Sequence, residues 1–403
     1  MMHLPQWVTN SFPLLSYAVF KILGLAPFTV NPRPANKSPI FVHSHIGTLY
    51  NLILVVIVAI LSPSSIAAID RVEFERKTST AQVISLAKAS IGLVVLVVVW
   101  LYIILNQKTA IRIANTWQHE DETMRTLAYV KHRNLSGLQL RLYFVLNVSI
   151  WINLFWTDLV EFEKWFKATF VGIIIPSFVF TWLILQYTFV LVLLRDRFRA
   201  LNEGLNRISS AAFAAPYYFN SLERTLDDVI SKNLLVIKVS HEVLYELVCD
   251  ISSLYSFPIL LVISVLSGTV IYSSYYLFMM LLLNDDVKPL TIVNSVCYLS
   301  MEMFPIVVLS FGVTKIINEL KLFSLELLHR NVSFTGGNIF SLDGTLLHSI
   351  LNTTATYLII LYQFSQPDKS TSNTSRITNA TSGKSFYILT DALGDINHVN
   401  DEL

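Results

Sequence analysis

Seven long apolar segments, separated by shorter charged stretches, organise the chain. Each is about as long as one crossing of the hydrocarbon core of a bilayer, which takes roughly 20 helical residues. A segment that crosses lipid must satisfy its own backbone hydrogen bonds, so we expect each to be an α-helix. The pattern predicts an all-α, polytopic membrane protein with seven transmembrane helices. The predicted spans are about 41–61, 82–105, 142–160, 166–194, 254–283, 290–313 and 346–364.

The basic residues between these spans predict the orientation, because cytosolic loops of membrane proteins are enriched in Lys and Arg. With the N-terminus in the cytosol, about two thirds of the 29 Lys and Arg residues fall on the cytosolic side. The C-terminus is then extracellular. This orientation is opposite to that of a G-protein-coupled receptor.

The segments outside the spans have their own patterns. Residues 1–40 are predicted to be a cytosolic N-terminus with one short helix, either at the interface or packed under the bundle. Segments 195–253 and 315–342 carry apolar helical faces opposite charged ones, which favours cytosolic anchor helices that pack together. A helix on the membrane surface is the alternative for 195–253. The seven apolar segments and these anchors form one receptor or channel domain over 41–364.

Residues 365–403 are rich in Ser, Thr and Asn, a composition typical of a disordered tail. Asn373 and Asn379 begin glycosylation sequons there, as an extracellular tail allows. The same sequon also occurs at Asn134 and Asn331, in segments predicted to be cytosolic. The motif alone therefore does not identify the outer side.

Composition narrows the class of protein. The chain has 403 residues, of which 53% are hydrophobic and 14% are charged, whereas soluble domains have about 25% charged residues. Its net charge of +1 gives no electrostatic case for binding nucleic acid. Two cysteines cannot form a disulfide framework or a cysteine-rich metal site. With no phosphate loop, zinc-spaced His pair or nucleophile elbow, we expect no enzyme activity, cofactor or metal.

The last span differs from the others in having a polar stripe. Asn352, Thr353, Thr356 and Gln363 recur at helical steps of three and four, and Ile360 completes the row. Polar groups in hydrocarbon must face other helices or water. The stripe therefore predicts either a helix–helix contact with Asn and Thr as hydrogen-bonding groups or the lining of an aqueous path.

Three ionisable residues stand out within the predicted spans: Lys88, Asp158 and Glu302. A charge at the centre of a span costs about 2.5–3.5 kcal/mol on insertion scales, so such residues suggest a function. Lys88 could reach the outer interface with its long side chain or pair with Glu302. We expect Asp158 to lie at the outer boundary, and Glu302, nearer mid-span, to be the better candidate.

The outer halves of the third, fifth and sixth spans hold aromatic and polar residues together. Such side chains suit a small, partly polar ligand, because rings stack on its apolar face and polar groups fix its orientation. An aromatic belt at the membrane interface is the alternative. The candidate ligand-binding residues are Trp151, Trp156, Tyr272, Ser273, Tyr276, Asn294, Tyr298 and Glu302.

The end of the chain carries a recognisable motif: Thr356-Tyr357, five apolar residues, then Gln363-Phe364. With it, the chain resembles the insect gustatory receptor family. Similar stretches are FSLELLHR at 323–330, KILGLAPF at 21–28 and the lead-in to the last span, with Phe334, Gly336, Phe340, Leu342, Asp343, Leu346 and Leu347. The resemblance extends over nearly the whole chain.

The resemblance implies a fold shared with insect odorant receptors and a tetrameric, ligand-gated cation channel whose last helices line the pore. It implies pore or gate roles for Thr356, Tyr357, Ile360, Gln363 and Phe364. The implied partners are a tastant such as a sugar or bitter compound, monovalent and divalent cations, membrane lipid, and identical or related subunits. The implied location is the plasma membrane of gustatory neurons.

Two features depart from the family pattern. The cytosolic stretch between Gly312 and Phe323 is shorter than usual, and the tail after Phe364 is longer. A variant transcript or gene model would explain both.

Two other functions remain as alternatives. A G-protein-coupled receptor needs an extracellular N-terminus, an acid-Arg motif after the third span and an Asn-Pro motif in the seventh. Here Asp196-Arg197 follows the fourth span, and the seventh has no proline. A transporter would be expected to show internal repeats and broken helices, and the sequence shows neither.

Overall fold

The structure is a computed structural model, and it describes residues 11–31, 41–71, 79–126, 136–161, 170–214, 223–283, 289–327 and 334–365. The chain divides into two compact units, Met1–Thr354 and Ala355–Leu403, which are described separately. The predicted tail after residue 365 lies outside the described residues, as do the sequons at Asn373 and Asn379.

Helices dominate the described part of the chain. They are α1 Ser11–Ile22, α2 His45–Arg71, α3 Ser79–Leu105, α4 Gln107–Thr126, α5 Ser136–Glu161, α6 Ile175–Ala214, α7 Glu223–Leu283, α8 Pro289–Leu327 and α9 Gly344–Ser365. A π-helical turn, Phe170–Ile174, leads into α6. Seven of the described helices, all but α1 and α4, are long and apolar enough to cross a membrane, which confirms the predicted fold class.

Two short antiparallel hairpins complete the described elements. The strands β1 Thr29–Val30 and β2 Phe41–Val42 pair, and so do β3 Thr335–Gly336 and β4 Phe340–Ser341. The second hairpin lies within 315–342, for which anchor helix was predicted. Gly337 and Asn338 have φ of 57° and 59°, the left-handed backbone that favours a tight turn over a helix.

The helix α2 continues ten residues beyond the end that was predicted at Leu61 and stops at Arg71. Pro63 lies inside it and has no N–H to bond the Ala59 carbonyl. The hydroxyl of Ser62 donates to that carbonyl at 3.0 Å instead. A serine beside a proline can thus preserve a membrane helix, which is why the Ser-Pro-Ser-Ser sequence does not end it.

Two of the helices are far longer than the bilayer is thick. The helices α6 and α7 have 40 and 61 residues, and α7 alone is about 90 Å long at 1.5 Å per residue. A hydrocarbon core of about 30 Å takes up only part of that length. Both helices therefore extend well beyond one membrane face. The helix α8 likewise continues without a break from the sixth predicted span into 315–327, past Pro305.

The helix α6 is at the centre of the bundle, packed against α3, α5, α7 and α8. Many of its side chains, among them Phe180, Leu183 and Phe198, are almost completely buried. Tyr187 stacks on Tyr255 of α7, with ring centroids 4.7 Å apart. In contrast, α2, α3 and α5 leave many large apolar side chains exposed, as expected of helices that face lipid.

The short helix α1 packs on the bundle through Phe20, whose ring contacts Trp182 and Phe189 of α6. The turn after α1 is fixed by two side chains of the bundle. Asn51 donates to the Gly24 carbonyl at 2.7 Å, and the indole of Trp100 donates to the Leu23 carbonyl at 2.9 Å. The N-terminal segment is thus part of the packed core.

We predict that Gly24→Ala lowers the thermal stability of the purified protein. Gly24 has φ of 74°, and a Cβ there would lie 2.9 Å from the Asn51 side-chain oxygen. The left-handed backbone alone costs a non-glycine residue about 1–2 kcal/mol. The unfolding midpoint in detergent, measured by tryptophan fluorescence, should fall by at least about 2 °C.

The matched control is Gly268→Ala on α7, where an added Cβ meets nothing within 4 Å. Alanine favours a helix by up to about 1 kcal/mol over glycine, so its midpoint should stay level or rise. Equal midpoints for the two variants would contradict the constraint at Gly24.

Candidate functional site

A buried ion pair joins α3 to α8. The Nζ atom of Lys88 lies 2.9 Å from Oε1 of Glu302, and the two side chains are 11% and 0% exposed. Of the two alternatives for Lys88, the structure shows the ion pair and not the extension to the interface. The ammonium also lies between two rings, 5.8 Å from the centroid of Tyr272 and 5.9 Å from that of Tyr298.

A second buried carboxylate is also held by α8. Asp158 of α5 accepts hydrogen bonds from the amide of Asn294 and the hydroxyl of Tyr298, each at 2.7 Å. Its expected depth, at the outer boundary of the membrane, stays a prediction, and its side chain is buried, with 4% exposed. The carboxylate can be buried because α8 presents two donors to it, and these replace the water that the carboxylate loses.

Further hydrogen bonds and stacking extend this polar cluster, which we define as Ser85, Lys88, Asp158, Tyr272, Asn294, Tyr298 and Glu302. The hydroxyls of Ser85 and Tyr272 lie 3.0 Å apart, and Tyr272 stacks on Tyr276, which is about one-third exposed. Ser273 is buried on the next position of α7. Sequence reasoning missed Ser85, although it lies three residues before Lys88 and hence on the same face of α3.

The two predicted tryptophans of α5 have different environments. Trp151 is 2% exposed, donates to the Thr181 hydroxyl at 3.2 Å and packs edge-on against Phe178. It is thus a core residue beside the polar cluster. Trp156 is 67% exposed, so the structure does not bring it into the cluster with the other candidate ligand-binding residues. Its position fits the alternative of an aromatic belt better.

The start of α9 is fastened to α8. The hydroxyl of Ser310 donates to the Asp343 carbonyl at 2.6 Å, and the backbone N–H of Gly344 donates to the Thr314 hydroxyl at 3.1 Å. The Asp343 carboxylate caps α9, since it accepts from the backbone N–H and the hydroxyl of Thr345 at 2.9 and 2.6 Å. The same helix that carries Asn294, Tyr298 and Glu302 therefore holds the N-terminus of the last helix.

The capping bonds change the titration of Asp343. The hydrogen bond from the Thr345 hydroxyl, aided by the Thr345 backbone N–H, Ser341 and Lys321, holds the pKa of Asp343 below its usual value. A carboxylate with a lowered pKa stabilises the fold above its unfolded pKa, and this contribution is lost as the pH falls through the folded value. The cap is therefore fully formed at neutral pH.

Within the first unit, α9 has a buried face and an exposed face. Leu346, Ile350 and Thr354 are buried, and the Thr354 hydroxyl donates to the Ile350 carbonyl at 2.8 Å. Asn352 and Thr353, the first members of the polar stripe, are exposed. These first members of the stripe therefore lie on the face of α9 that the described residues leave uncovered.

The second unit continues α9 from Ala355 to Ser365. Of the predicted pore residues, Thr356, Tyr357, Ile360 and Gln363 have exposed side chains, and the side chain of Phe364 lies outside the described ones. At helical steps of three and four, Thr356, Ile360 and Gln363 follow on from Thr353.

We predict that Lys88→Met destabilises the protein strongly, because it leaves Glu302 buried without its cation. Removing one partner of a buried ion pair costs about 3–5 kcal/mol, whereas replacing both partners with apolar residues is often neutral. Lys88→Met combined with Glu302→Leu should therefore recover much of the unfolding midpoint that Lys88→Met alone loses.

The exposed pair Arg112–Asp250 is the matched control, with a nitrogen–oxygen distance of 3.3 Å and side chains 66% and 48% exposed. Arg112→Met should change stability by at most about 1 kcal/mol. If Arg112→Met and Lys88→Met lowered the unfolding midpoint equally, the burial of the Lys88–Glu302 pair would not make it more important for stability than an exposed pair.

Comparison with known proteins agrees with this architecture. A profile of the 7tm Chemosensory receptor family matches residues 14–321 and 314–367. The two matches overlap over residues 314–321 of α8, within the stretch identified from the sequence as shorter than in the family pattern. Putative gustatory receptor 2a of Drosophila melanogaster is 52% identical over 42 residues. This match covers only 10% of this chain and 10% of that receptor.

Solved structures share the fold. The insect olfactory receptor OR5 of Machilis hrabei in complex with eugenol aligns with a TM-score of 0.56 and 13% identity, covering 90% of this chain and 99% of that one. A second OR5 structure gives a TM-score of 0.58, again at 13% identity, with 89% and 98% covered. Because the family profile matches most of the chain, the chain belongs to the seven-transmembrane chemosensory receptor family of insects, as the motif of its last span predicted.

Proposed function

We propose that this protein is a gustatory receptor that acts as a tastant-gated, non-selective cation channel in the plasma membrane of chemosensory neurons. The observation that carries the proposal is the two-faced last helix. Its apolar face packs on the bundle at Leu346 and Ile350, while Asn352 and Thr353 on the polar stripe are exposed.

An exposed polar stripe is costly against lipid, because its amide and hydroxyl groups lose water that hydrocarbon does not replace. The cost disappears if several copies of α9 surround an axis and the stripe faces water. A ring of four identical or related subunits provides that arrangement. Gln363 and Phe364 would then lie at the outer end of the pore, where an apolar constriction can close it by dewetting.

The proposed assembly domain is the set of helices beyond one membrane face. The ends of α6 and α8 and the first part of α7 correspond to the predicted anchor segments 195–253 and 315–342. The distribution of Lys and Arg over the whole chain, with about two thirds of them on this side of the predicted spans, supports a cytosolic location. This orientation makes residues 1–40 cytosolic and places the tail after Phe364 outside the cell, with Asn373 and Asn379 as candidate glycosylation sites.

The polar cluster is the proposed tastant site. Lys88 neutralises one carboxylate, Glu302, whereas Asp158 accepts its hydrogen bonds from two neutral donors, Asn294 and Tyr298. The second oxygen of Glu302 is buried and accepts no hydrogen bond from the described residues. A site with surplus acceptors and tyrosine rings suits a ligand that donates hydrogen bonds, such as a sugar or a protonated bitter amine.

The proposed coupling runs along α8. Glu302 in the cluster and Ser310, which holds the start of α9, are eight residues apart, about 12 Å along one helix. A ligand that changes the packing of α8 would shift α9 with it. It can shift the gating equilibrium only by the difference between its affinities for the closed and open states.

We predict that Thr353→Cys, in a Cys249→Ser, Cys297→Ser background, makes the current sensitive to a membrane-impermeant cationic thiol reagent. A cysteine that faces the pore reacts, and the added charge should block most of the cation current. The measurement is whole-cell recording, with currents evoked by a compound that a calcium-imaging screen of sugars and alkaloids has selected.

Thr354→Cys is the matched control, because Thr354 is the adjacent residue with the same side chain but lies on the buried face. Its current should persist in the reagent. Surface biotinylation shows that both variants reach the membrane. Equal reactivity of the two cysteines, or an unaffected Thr353→Cys current, would count against the pore assignment.

We also predict that an epitope tag after Leu403 is labelled by antibody on intact cells, whereas a tag before Met1 is labelled only after permeabilisation. The excess of cytosolic basic residues is the physical reason. The reverse pattern would support a receptor of the G-protein-coupled orientation and would exclude the proposed topology.

A further inference from the structure

A cavity of about 720 Å³ lies in the unit Met1–Thr354, at the end of the bundle where α1 packs. It is separate from the polar cluster. Its lining residues on α3, Tyr102 and Ile103, are some 14 residues beyond Lys88, about 20 Å along the helix. The cavity is as large as typical sites for drug-sized ligands, and the proposed tastant gating does not use it.

Most of the cavity wall is apolar. Phe12 of α1, Ile113 and Trp117 of α4, Leu183 of α6 and Tyr255 of α7 contribute side chains from four helices. Such a wall gives water few partners, whereas a hydrocarbon chain or ring system would bury its surface there at about 25 cal/mol per Å². The wall therefore favours a ligand with a long apolar body.

Two hydrogen-bond acceptors in the wall lack partners among the described residues. The side-chain oxygens of Gln118 and Gln186 are buried and accept no hydrogen bond there. The amide nitrogen of Gln186 is already engaged, since it donates to the Leu25 carbonyl at 3.3 Å. Buried acceptors of this kind favour a ligand that brings a donor, because an unmade hydrogen bond costs about 1–3 kcal/mol.

The charges around the cavity disfavour an anionic ligand. Two arginines, Arg141 and Arg197, line it together with three acids, Asp121, Glu122 and Asp196. Arg197 is already paired with Asp121. The lining thus has no excess of positive charge to offer a carboxylate or phosphate.

The cavity reaches the surface of the bundle beside α5. Leu138 and Leu193 line it and are 78% and 38% exposed, and the Arg141 guanidinium lies 6.0 Å from the ring centroid of Phe12. Exposed leucines beside an arginine are typical of the level where hydrocarbon meets headgroups. The geometry points to a binding site for a neutral amphipathic lipid with a hydroxyl headgroup, which enters sideways from the bilayer.

The test compares two photoreactive probes with the same tail, a diazirine-labelled hexadecanol and a diazirine-labelled hexadecanoic acid. Each is added at pH 7.4 to the full-length protein in lipid nanodiscs and irradiated, and the labelled peptides are identified by mass spectrometry. We expect the alcohol to label the peptides around Ala110–Gln118 and Leu183–Leu193 at least about five-fold more than the acid, since one hydrogen bond is worth about 1 kcal/mol. Unlabelled hexadecanol should compete.

Two kinds of variant locate the probe. Ala114→Trp fills the cavity and should abolish labelling of these peptides, whereas Ala67→Trp, the same change at an exposed position of α2, should leave it unchanged. Gln118→Leu with Gln186→Leu removes both acceptors at nearly constant volume and should bring alcohol labelling down to the level of the acid. This double variant serves as the test if size-exclusion chromatography shows that Ala114→Trp does not fold.

Equal labelling by acid and alcohol would overturn the hydroxyl preference, and undiminished labelling in Ala114→Trp would overturn the site. Absence of labelling of these peptides in the unmodified protein would overturn the proposed lipid site. The test measures labelling and not ion current, so its outcome is independent of whether the chain conducts ions.

Discussion

The structure depends on the constraint that polar groups inside a membrane must find partners within the protein. The pair of Lys88 and Glu302 shows how this is met: an ammonium and a carboxylate, each costly alone, meet at 2.9 Å in a space that is almost closed to solvent. Because the two residues lie on α3 and α8, the ion pair also links these two helices. Asp158 extends the same principle to α5 through Asn294 and Tyr298.

The same constraint relates the polar cluster to the last helix. The helix α8 carries three members of the cluster and, through Ser310 and Thr314, binds the start of α9. A bundle held by a few polar contacts in an apolar medium can have two discrete arrangements, since exchanging partners is costly and intermediate positions leave groups unsatisfied. A ligand that binds among these contacts therefore acts on bonds that already position α9, which is the proposed basis of gating.

Local sequence was sufficient to predict the features that depend on a single helix. The apolar runs predicted seven helices long enough to span, and charge within the spans marked Lys88 and Glu302 as candidates, with their pairing as one of two alternatives. Boundaries were less predictable: the first span was predicted to end at Leu61, but its helix continues through Pro63 to Arg71, with the Ser62 hydroxyl bonded to the Ala59 carbonyl. Trp151 and Trp156 look alike in sequence, yet one is buried and the other 67% exposed, because helix rotation within the bundle depends on its neighbours.

The sequence by itself determined that the chain is a multi-pass membrane protein made of helices. It also determined the family motif at the end of the chain and the polar stripe on the last helix. Each of these features depends on composition or on the spacing of residues along one segment. Only the tertiary structure decided that Asp158 is buried between two donors, that α8 holds α9, and that a cavity lies beside α1. These features join residues of different helices that are far apart along the chain, and the packing of helices, which the spacing of residues does not encode, brings them together.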